Sequence, residues 1–264
     1  MNRIQQTFKS LKAQKNKAFI AFITAGDPDL RTTKELVLGL DKTGVDIIEL
    51  GIPFSDPLAD GPIIQASFYR ALKKGTTVKK ILSMVKDIRL KSNIPIALMS
   101  SYNPIFHFGE EKFIKACVEA GIDGLIIPDL PPEEAQLLCR AASRADIAMV
   151  FFVAPTSTDQ RIKSNAAVSS GFIYYVSVTG TTGVKQAVAL SVVKQVRHIK
   201  RFTDKPVCVG FGISTPQQVK DIGRAADGVI VGSAIVKAIE QQKRSPDLVP
   251  AVCRYVSSLV KAIR

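Results

Sequence analysis

Short runs of apolar residues recur along the chain roughly every 25 to 30 residues. Each run is followed by glycine, proline or aspartate, and then by a longer segment whose apolar residues have helical spacing. Phe113, Cys117 and Ala120, which precede Gly121, show this spacing and a typical glycine stop. The alternation predicts eight strands, at Ala18–Thr24, Asp46–Leu50, Ile94–Met99, Gly124–Ile127, Ile147–Val153, Phe172–Val176, Pro206–Val209 and Gly228–Val231.

Eight strand and helix units with no polar linker between them favour a closed (β/α)8 barrel, or TIM barrel, over an open doubly wound sheet, in which about six strands are more usual. Two further amphipathic segments are predicted to be helices that cover the core. They carry Ile4, Phe8 and Leu11 near the start, and Leu248, Val252, Val256, Leu259 and Ile263 near the end. We therefore predict a single α/β domain over residues 1–264, a barrel with an extra N-terminal helix.

Composition favours a soluble protein. The hydrophobic fraction of 46% is enough for one large core, yet no apolar run approaches the roughly 20 residues that span a bilayer. The run Phe19–Ala25 leads into Asp27 and Pro28, which favours a turn after a first strand over a signal peptide. The four cysteines form no C-x-x-C pair and are expected to be reduced thiols. The expected location is the cytoplasm.

The chain is strongly basic, with 36 Lys and Arg against 23 Asp and Glu and a net charge of +13. The lysines are scattered over predicted helices, without tryptophan or interleaved aromatic residues, so solvated helix faces are favoured over a nucleic-acid surface. Only two histidines, His107 and His198, are present. A histidine-rich zinc site or a Ser-His-Asp relay is therefore hard to assemble, and no metal site is predicted.

Two carboxylates stand out after the second predicted strand. Glu49 lies within an apolar run that reads as a buried strand, and Asp60 follows eleven residues later on a loop rich in proline and glycine. A buried carboxylate costs several kcal/mol unless it is paired or protonated. Acid–base chemistry and a structural ion pair both explain such a residue. In a barrel, residues at the carboxyl ends of strands carry the chemistry, which favours the first explanation.

Glycines at the ends of the last two strands indicate an anion site. Gly210 and Gly212 follow one strand, and Gly232 and Ser233 follow the next, each before a helix. Backbone N–H groups at such a position bind phosphate in many barrels, although the glycines could also simply turn the chain. The polar loop 179–183 suggests a lid over a substrate. Asp27 and Asp129, each beside a proline, are predicted to be turn or cap residues.

Six stretches at these strand ends closely resemble the tryptophan synthase alpha subunit family, and the similarity extends over essentially the whole chain. The stretches are Phe22-Ile-Thr-Ala-Gly-Asp-Pro28, Glu49-Leu-Gly-Ile-Pro-Phe-Ser-Asp-Pro-Leu-Ala-Asp-Gly-Pro62, Pro128-Asp-Leu-Pro131, Ser177-Val-Thr-Gly-Thr-Thr-Gly183, Gly210-Phe-Gly-Ile213 and Gly232-Ser-Ala234. The second stretch is the most specific. The resemblance implies retro-aldol cleavage of indole-3-glycerol phosphate to indole and glyceraldehyde 3-phosphate.

The resemblance also implies roles for individual residues. Glu49 would protonate the indole carbon and help to remove a glycerol hydroxyl proton, and Asp60 would bind the ring N–H. Met99, where the family more often has leucine, and Ile126 would join two phenylalanines around the indole, and Thr182 would approach Asp60 when the loop closes. The implied substrate-binding residues are Phe22, Tyr174, Thr182, Gly183, Phe211, Gly212, Gly232 and Ser233.

A partner is implied in the same way, because members of this family pair with a beta subunit that carries pyridoxal phosphate and receives the indole. The resemblance implies an α2β2 heterotetramer and no cofactor in this chain. The implied interface residues are Pro53, Asp56, Pro57, Asn103 and Pro131.

Three alternatives remain open from the sequence. A stand-alone indole-3-glycerol-phosphate lyase would share the fold and the carboxylates but release free indole. A phosphate-binding isomerase of a neighbouring biosynthetic step would need an acid–base pair on other strand ends. A barrel without activity could serve only as a scaffold for a partner, although Glu49 and Asp60 are both present.

Overall fold

The computed structural model describes residues 1–177, 185–210 and 212–264, and the side chains of these residues except 185–189. Within these ranges eight parallel strands close into a barrel in sequence order, with the first strand paired to the eighth. The strands are β1 (Ala18–Thr24), β2 (Ile47–Gly51), β3 (Ile96–Met99), β4 (Gly124–Ile126), β5 (Ala148–Val153), β6 (Ile173–Val176), β7 (Val207–Gly210) and β8 (Gly228–Val231). The predicted barrel is confirmed, and each strand end lies within two residues of its predicted position.

Helices surround the barrel, and five of the eleven whose start is described begin at a residue whose side chain caps the helix. Asp29, for example, accepts a hydrogen bond from the Thr32 N–H at 2.8 Å. No helix in the described ranges is long and apolar enough to cross a membrane. The helices are α1 (Arg3–Ala13), α2 (Leu30–Asp41), α3 (Pro62–Lys73), α4 (Val78–Arg89), α5 (Tyr102–Phe108), α6 (Glu110–Ala120), α7 (Gln136–Arg144), α8 (Asp159–Val168), α9 (Lys185–Ile199), α10 (Pro216–Gly223), α11 (Ser233–Gln242) and α12 (Leu248–Val260).

The barrel interior is filled by apolar side chains, and the predicted N-terminal helix closes its lower end. On α1, Ile4, Phe8 and Leu11 pack into the same buried cluster as Ile20 and Ile47 from the strands. A second and larger apolar layer lies between the strands and the outer helices. Both layers are closely packed. The cavity lies beyond them, at the carboxyl ends of the strands and at the opposite end of the barrel from α1.

A buried ion network also ties the amino end together. Asp123 is 3% exposed and accepts hydrogen bonds from Arg89 at 2.8 Å and from Arg3 at 2.9 Å. Its carboxylate also accepts the Ile96 N–H at 2.8 Å. This network lies far from the strand ends that carry the candidate chemistry, and it therefore serves the fold.

Candidate active site

A cavity of about 500 Å³ opens at the carboxyl ends of the strands. Apolar side chains form most of its wall, and the two carboxylates noted in the sequence both face it. This combination of an apolar slot and a few polar groups is typical of a small-molecule site. The lining residues are Phe22, Glu49, Ala59, Asp60, Gly61, Pro62, Ile63, Ile64, Met99, Pro128, Phe152, Ala154, Tyr174, Val176, Gly212, Ile213, Ile230, Gly232 and Ser233.

Glu49 is the buried acid of this cavity. It sits on β2 between Phe22 of β1 and Ala97 of β3, and its side chain is fully buried. Neither carboxyl oxygen has a hydrogen-bond partner among the described residues. Burial, and then the nearby charge of Asp60, raise the pKa of Glu49 to about 8. Glu49 therefore holds a proton at neutral pH and can deliver it to a ligand.

Asp60 is the second carboxyl group, and it reaches the cavity from the loop after β2. Its N–H donates to the Pro57 carbonyl at 3.1 Å, and its own carbonyl accepts the Gln65 side-chain amide at 2.8 Å. Burial, and then the charge of Asp129, raise the pKa of Asp60 to about 6. Asp60 is thus mostly ionised at pH 7, while Glu49 is protonated. The two carboxyl groups are suited to different tasks.

Aromatic rings line the apolar part of the cavity, and two glycines make room for them. A Cβ atom at Gly51 would lie 2.7 Å from the Phe22 ring, and one at Gly210 would lie 2.6 Å from the Tyr174 ring. The ring of Phe152 lies against that of Tyr174, with centroids 4.7 Å apart and planes tilted by 35°. Burial, followed by the charges of Glu49 and Asp60, raises the pKa of Tyr174. Tyr174 therefore stays a neutral phenol.

The other end of the cavity is suited to an anion. Helix α11 begins at Ser233 directly after Gly232, and its first amide bonded within the helix is that of Ile235, which donates to the Gly232 carbonyl at 2.8 Å. The N–H groups of Ser233 and Ala234 precede this bond and can donate to a ligand, and the helix dipole favours a negative charge there. Gly212, with a φ of 71°, lines the same end.

The structure brings together most of the residues that the sequence singled out. Phe22, Tyr174, Gly212, Gly232 and Ser233 all line the cavity with Glu49 and Asp60. Thr182, Gly183 and Phe211, and the rest of the loop 179–183, lie outside the described residues.

The apolar wall of the cavity differs at two positions from the one expected from the sequence. Ile126, expected in the slot beside Met99, is fully buried in the layer beneath and does not line the cavity. Phe152 lines the cavity but was not identified from the sequence. It is one residue before the end of the predicted fifth strand, and inward alternation along that strand is the signal that could have found it.

The candidate interface residues all lie on loops or helix starts at the same end of the barrel. Asp56 and Asn103 are exposed, and Pro57 and Pro131 are half-buried. The Pro53 side chain is buried, so it would act through the shape of its loop rather than by direct contact.

The arrangement can pass a proton to an aromatic ligand while it holds that ligand by its two ends. A protonated acid faces an apolar slot, a carboxylate can accept a hydrogen bond from a ring N–H, and a helix start can hold a phosphate. No group of three or more His, Cys, Asp or Glu side chains in the described part of the chain could hold a metal ion.

Comparisons with known proteins agree with this geometry. The family model for the tryptophan synthase alpha chain matches residues 8–262. The tryptophan synthase alpha chain of Geotalea daltonii is 54% identical over 241 residues, 91% of each chain, and that of Geobacter sulfurreducens is 49% identical over 100% of this chain and 99% of the relative.

Solved structures show the same relationship. Tryptophan synthase subunit alpha from Legionella pneumophila superposes with a TM-score of 0.93 at 37% identity, over 100% of this chain and 98% of that one. A chain of tryptophan synthase from M. tuberculosis, in an aminoacrylate-bound form, superposes with a TM-score of 0.88 at 32% identity, with 100% of both chains covered. This chain belongs to the tryptophan synthase alpha chain family.

Proposed function

We propose that this chain cleaves indole-3-glycerol phosphate into indole and glyceraldehyde 3-phosphate, with Glu49 as the acid–base group and Asp60 as the partner of the indole N–H. One observation carries the assignment of roles. Glu49 is fully buried, has no hydrogen-bond partner among the described residues and faces an apolar cavity. Its carboxyl proton is therefore not shared with another described side chain and is available to a ligand. Family membership supplies the reaction.

The proposed reaction is a retro-aldol cleavage in which Glu49 gives and then takes a proton. Protonated Glu49 transfers its proton to the indole carbon that carries the glycerol chain, which removes the aromaticity of the pyrrole ring. The bond between this carbon and the chain then breaks, and its electron pair returns to the ring. The adjacent hydroxyl becomes the aldehyde as it loses its proton to the Glu49 carboxylate, so the acid is regenerated.

Asp60 acts at the other side of the ring. Protonation of the ring carbon places positive charge on the indole nitrogen, and an ionised carboxylate that accepts its N–H stabilises that charge in a site shielded from water. The pKa of about 6 keeps Asp60 ionised at pH 7. Phe22, Met99 and Phe152 provide the apolar surface on which the ring would rest. Their role is to orient the substrate between the two carboxyl groups.

The phosphate is proposed to bind at the start of α11, where Ser233 offers both its N–H and its hydroxyl. Replacing Ser233 with alanine removes only the hydroxyl donor, and a neutral hydrogen bond contributes about 0.5–1.5 kcal/mol. We therefore expect Ser233→Ala to raise KM by about two- to tenfold and to leave kcat nearly unchanged. Steady-state indole release measures both constants. A fall in kcat with an unchanged KM would contradict the proposed contact.

The partner is proposed to be a tryptophan synthase beta subunit in an α2β2 heterotetramer. Family membership supports a beta subunit, and the exposure of Asp56 and Asn103 beside the cavity mouth supports its placement on that face. The chemistry proposed for this chain uses carboxyl groups alone, and pyridoxal phosphate is expected only in the partner. A cytoplasmic location, a single domain and the absence of nucleic-acid binding stay predictions.

Indole release from indole-3-glycerol phosphate tests the proposed function. The purified chain is assayed alone and with a saturating tryptophan synthase beta subunit from the same organism. Weak release that the beta subunit strongly increases is the expected result. Fast release that the beta subunit does not change would favour a stand-alone lyase, and no release under either condition would favour a scaffold.

A further inference from the structure

An ion network on one side of the barrel links the two helices that begin at the cavity. Arg70 of α3 donates to Asp27 through two bonds of 2.8 Å, from Nε to Oδ1 and from Nη2 to Oδ2. Its remaining nitrogen, Nη1, donates to Glu240 of α11 at 2.9 Å. One guanidinium group therefore joins α3, α11 and the turn after β1. The sequence-based expectation for Asp27, a turn or cap residue, missed this role.

The chemistry of the network requires an arginine. Asp27 is 2% exposed, and its two oxygens are both used by the planar guanidinium fork. Loss of that fork leaves a buried carboxylate without its charge partner. A lysine carries the same charge as a single point and cannot make the three bonds in this geometry. Glu240 is 41% exposed, so water can replace its bond to Arg70 at a smaller cost.

Both helices that Arg70 joins start with proposed site residues. Helix α3 begins at Pro62, just after Asp60, and α11 begins at Ser233. Arg70 and Glu240 each lie about two helical turns from these starts. Because an α-helix is stiff over two turns, a displacement at the network reaches Ser233 at the start of α11 and Pro62 at the start of α3, two residues after Asp60.

The space between the two helix starts is filled by a small apolar cluster. Phe22 of β1, Phe68 of α3 and Val236 of α11 are buried against each other, and Ile63 and Ile64 of α3 pack on them. Phe22, Ile63 and Ile64 also line the cavity. The spacing of the helices is therefore also the spacing of the cavity walls.

We propose that Arg70 is a positioning residue that fixes the distance between Asp60 and Ser233 through Asp27 and Glu240. It would thereby set the length of chain that the site accepts between an indole N–H and a phosphate. This inference rests on the binding roles proposed above for Asp60 and Ser233. It adds that the selectivity for a three-carbon chain is set by a network that does not touch the substrate.

The test compares Arg70→Lys with Arg89→Lys, which alters the matching buried Arg–Asp pair at the amino end of the barrel. Both variants are assayed with the beta subunit at a temperature where circular dichroism shows them folded. For Arg70→Lys we expect kcat to fall and KM to rise by about tenfold each, because small displacements of groups that orient a substrate have large effects on rate. Arg89→Lys is expected to lose thermal stability but to keep both constants within about twofold.

A binding measurement separates positioning from stability. Dissociation constants are measured for indol-3-yl-alkyl phosphates with three-carbon and four-carbon chains. The unaltered protein is expected to prefer the three-carbon compound, and Arg70→Lys is expected to reduce that preference by about threefold or more, whereas Arg89→Lys retains it. An equal preference in Arg70→Lys and the unaltered protein would overturn the proposal.

A milder variant keeps the test decisive if Arg70→Lys fails to fold. Glu240→Ala removes the acceptor of the Arg70 Nη1 bond and so releases only α11, and KM is expected to rise by about threefold with kcat unchanged. The matched control is Glu35→Ala on α2, where Glu35 pairs with Arg31 at 3.1 Å on the surface. Unchanged KM and chain-length preference in Glu240→Ala would contradict the proposal. Failure of the unaltered protein to release indole would instead count against the proposed function, because chain-length selectivity is measured without turnover.

Discussion

Replacing Glu49 with glutamine is expected to lower kcat for indole release by about 10²- to 10⁴-fold, the range that a positioned acid–base group contributes. Glutamine has nearly the same shape but cannot transfer the proton. Steady-state assays with saturating beta subunit measure the loss. Glu35→Gln, the same change at an exposed site, is the control and should keep full activity. Activity within tenfold of the unaltered protein would exclude Glu49 as the proton donor.

The stability of Glu49→Gln shows whether its loss of kcat comes from the missing proton transfer or from a loss of folded protein. The ordinary glutamate pKa is 4.5, and that of Glu49 is raised to about 8, so the folded chain binds more protons than the unfolded chain between these values. The free energy of unfolding that Glu49 contributes is therefore fully present below pH 4.5 and is lost as the pH rises through 8, by at most about 1.4 kcal/mol per pH unit. Glu49→Gln removes this loss. Urea denaturation should show the variant gaining stability relative to the unaltered protein from pH 5 to pH 8.

Replacing Asp60 with asparagine is expected to lower kcat by about 10²- to 10³-fold, the effect typical of removing one group that stabilises a developing charge. The asparagine oxygen can still accept the ring N–H, so KM should change much less than kcat. The control is Asp87→Asn on α4, whose carboxylate pairs with Lys34 at 3.4 Å on the surface. An effect confined to KM would mean that Asp60 holds the substrate without stabilising the transition state.

The barrel could be predicted from the sequence because each strand is a short apolar run closed by a turn residue. Several predicted strand ends differ from the observed ones by one or two residues, and a polar contact explains one of these differences. Asp46 was predicted as the start of the second strand, but its carboxylate accepts the Phe19 N–H at 2.7 Å and pairs with Arg264, so β2 begins one residue later. Hydrophobic spacing does not encode such capping contacts.

The two carboxyl groups could also be identified from the sequence, because a charged residue within an apolar strand is conspicuous. Their different pKa values could not, since these depend on burial and on a third charge. Asp129, predicted to be a turn or cap residue, indeed accepts the Tyr102 N–H at 2.9 Å where α5 begins, and it also raises the pKa of Asp60. That influence arises only when the ends of β2 and β4 are brought to the same face.

Contacts between distant parts of the chain could not be predicted from the sequence. Arg70 bonds to Asp27, which is 43 positions away in the sequence, and to Glu240, which is 170 positions away. No local sequence pattern indicates either pair. The position of Ile126 beneath the cavity wall and the omission of Phe152 have one cause. Both side chains lie near strand ends, and the stagger of the closed barrel decides which of them reaches the cavity and which lies in the layer beneath.

The pH dependence of kcat/KM between pH 7 and 10, measured with the beta subunit, tests the central claim that buried Glu49 starts the reaction as a neutral acid. The second pKa of a phosphate monoester is about 6, so the substrate is a dianion throughout this range. A fall in kcat/KM above an apparent pKa of about 8 is predicted, with Glu49 and Asp60 titrating as a coupled pair. A value of kcat/KM that stays constant to pH 10 would contradict the claim.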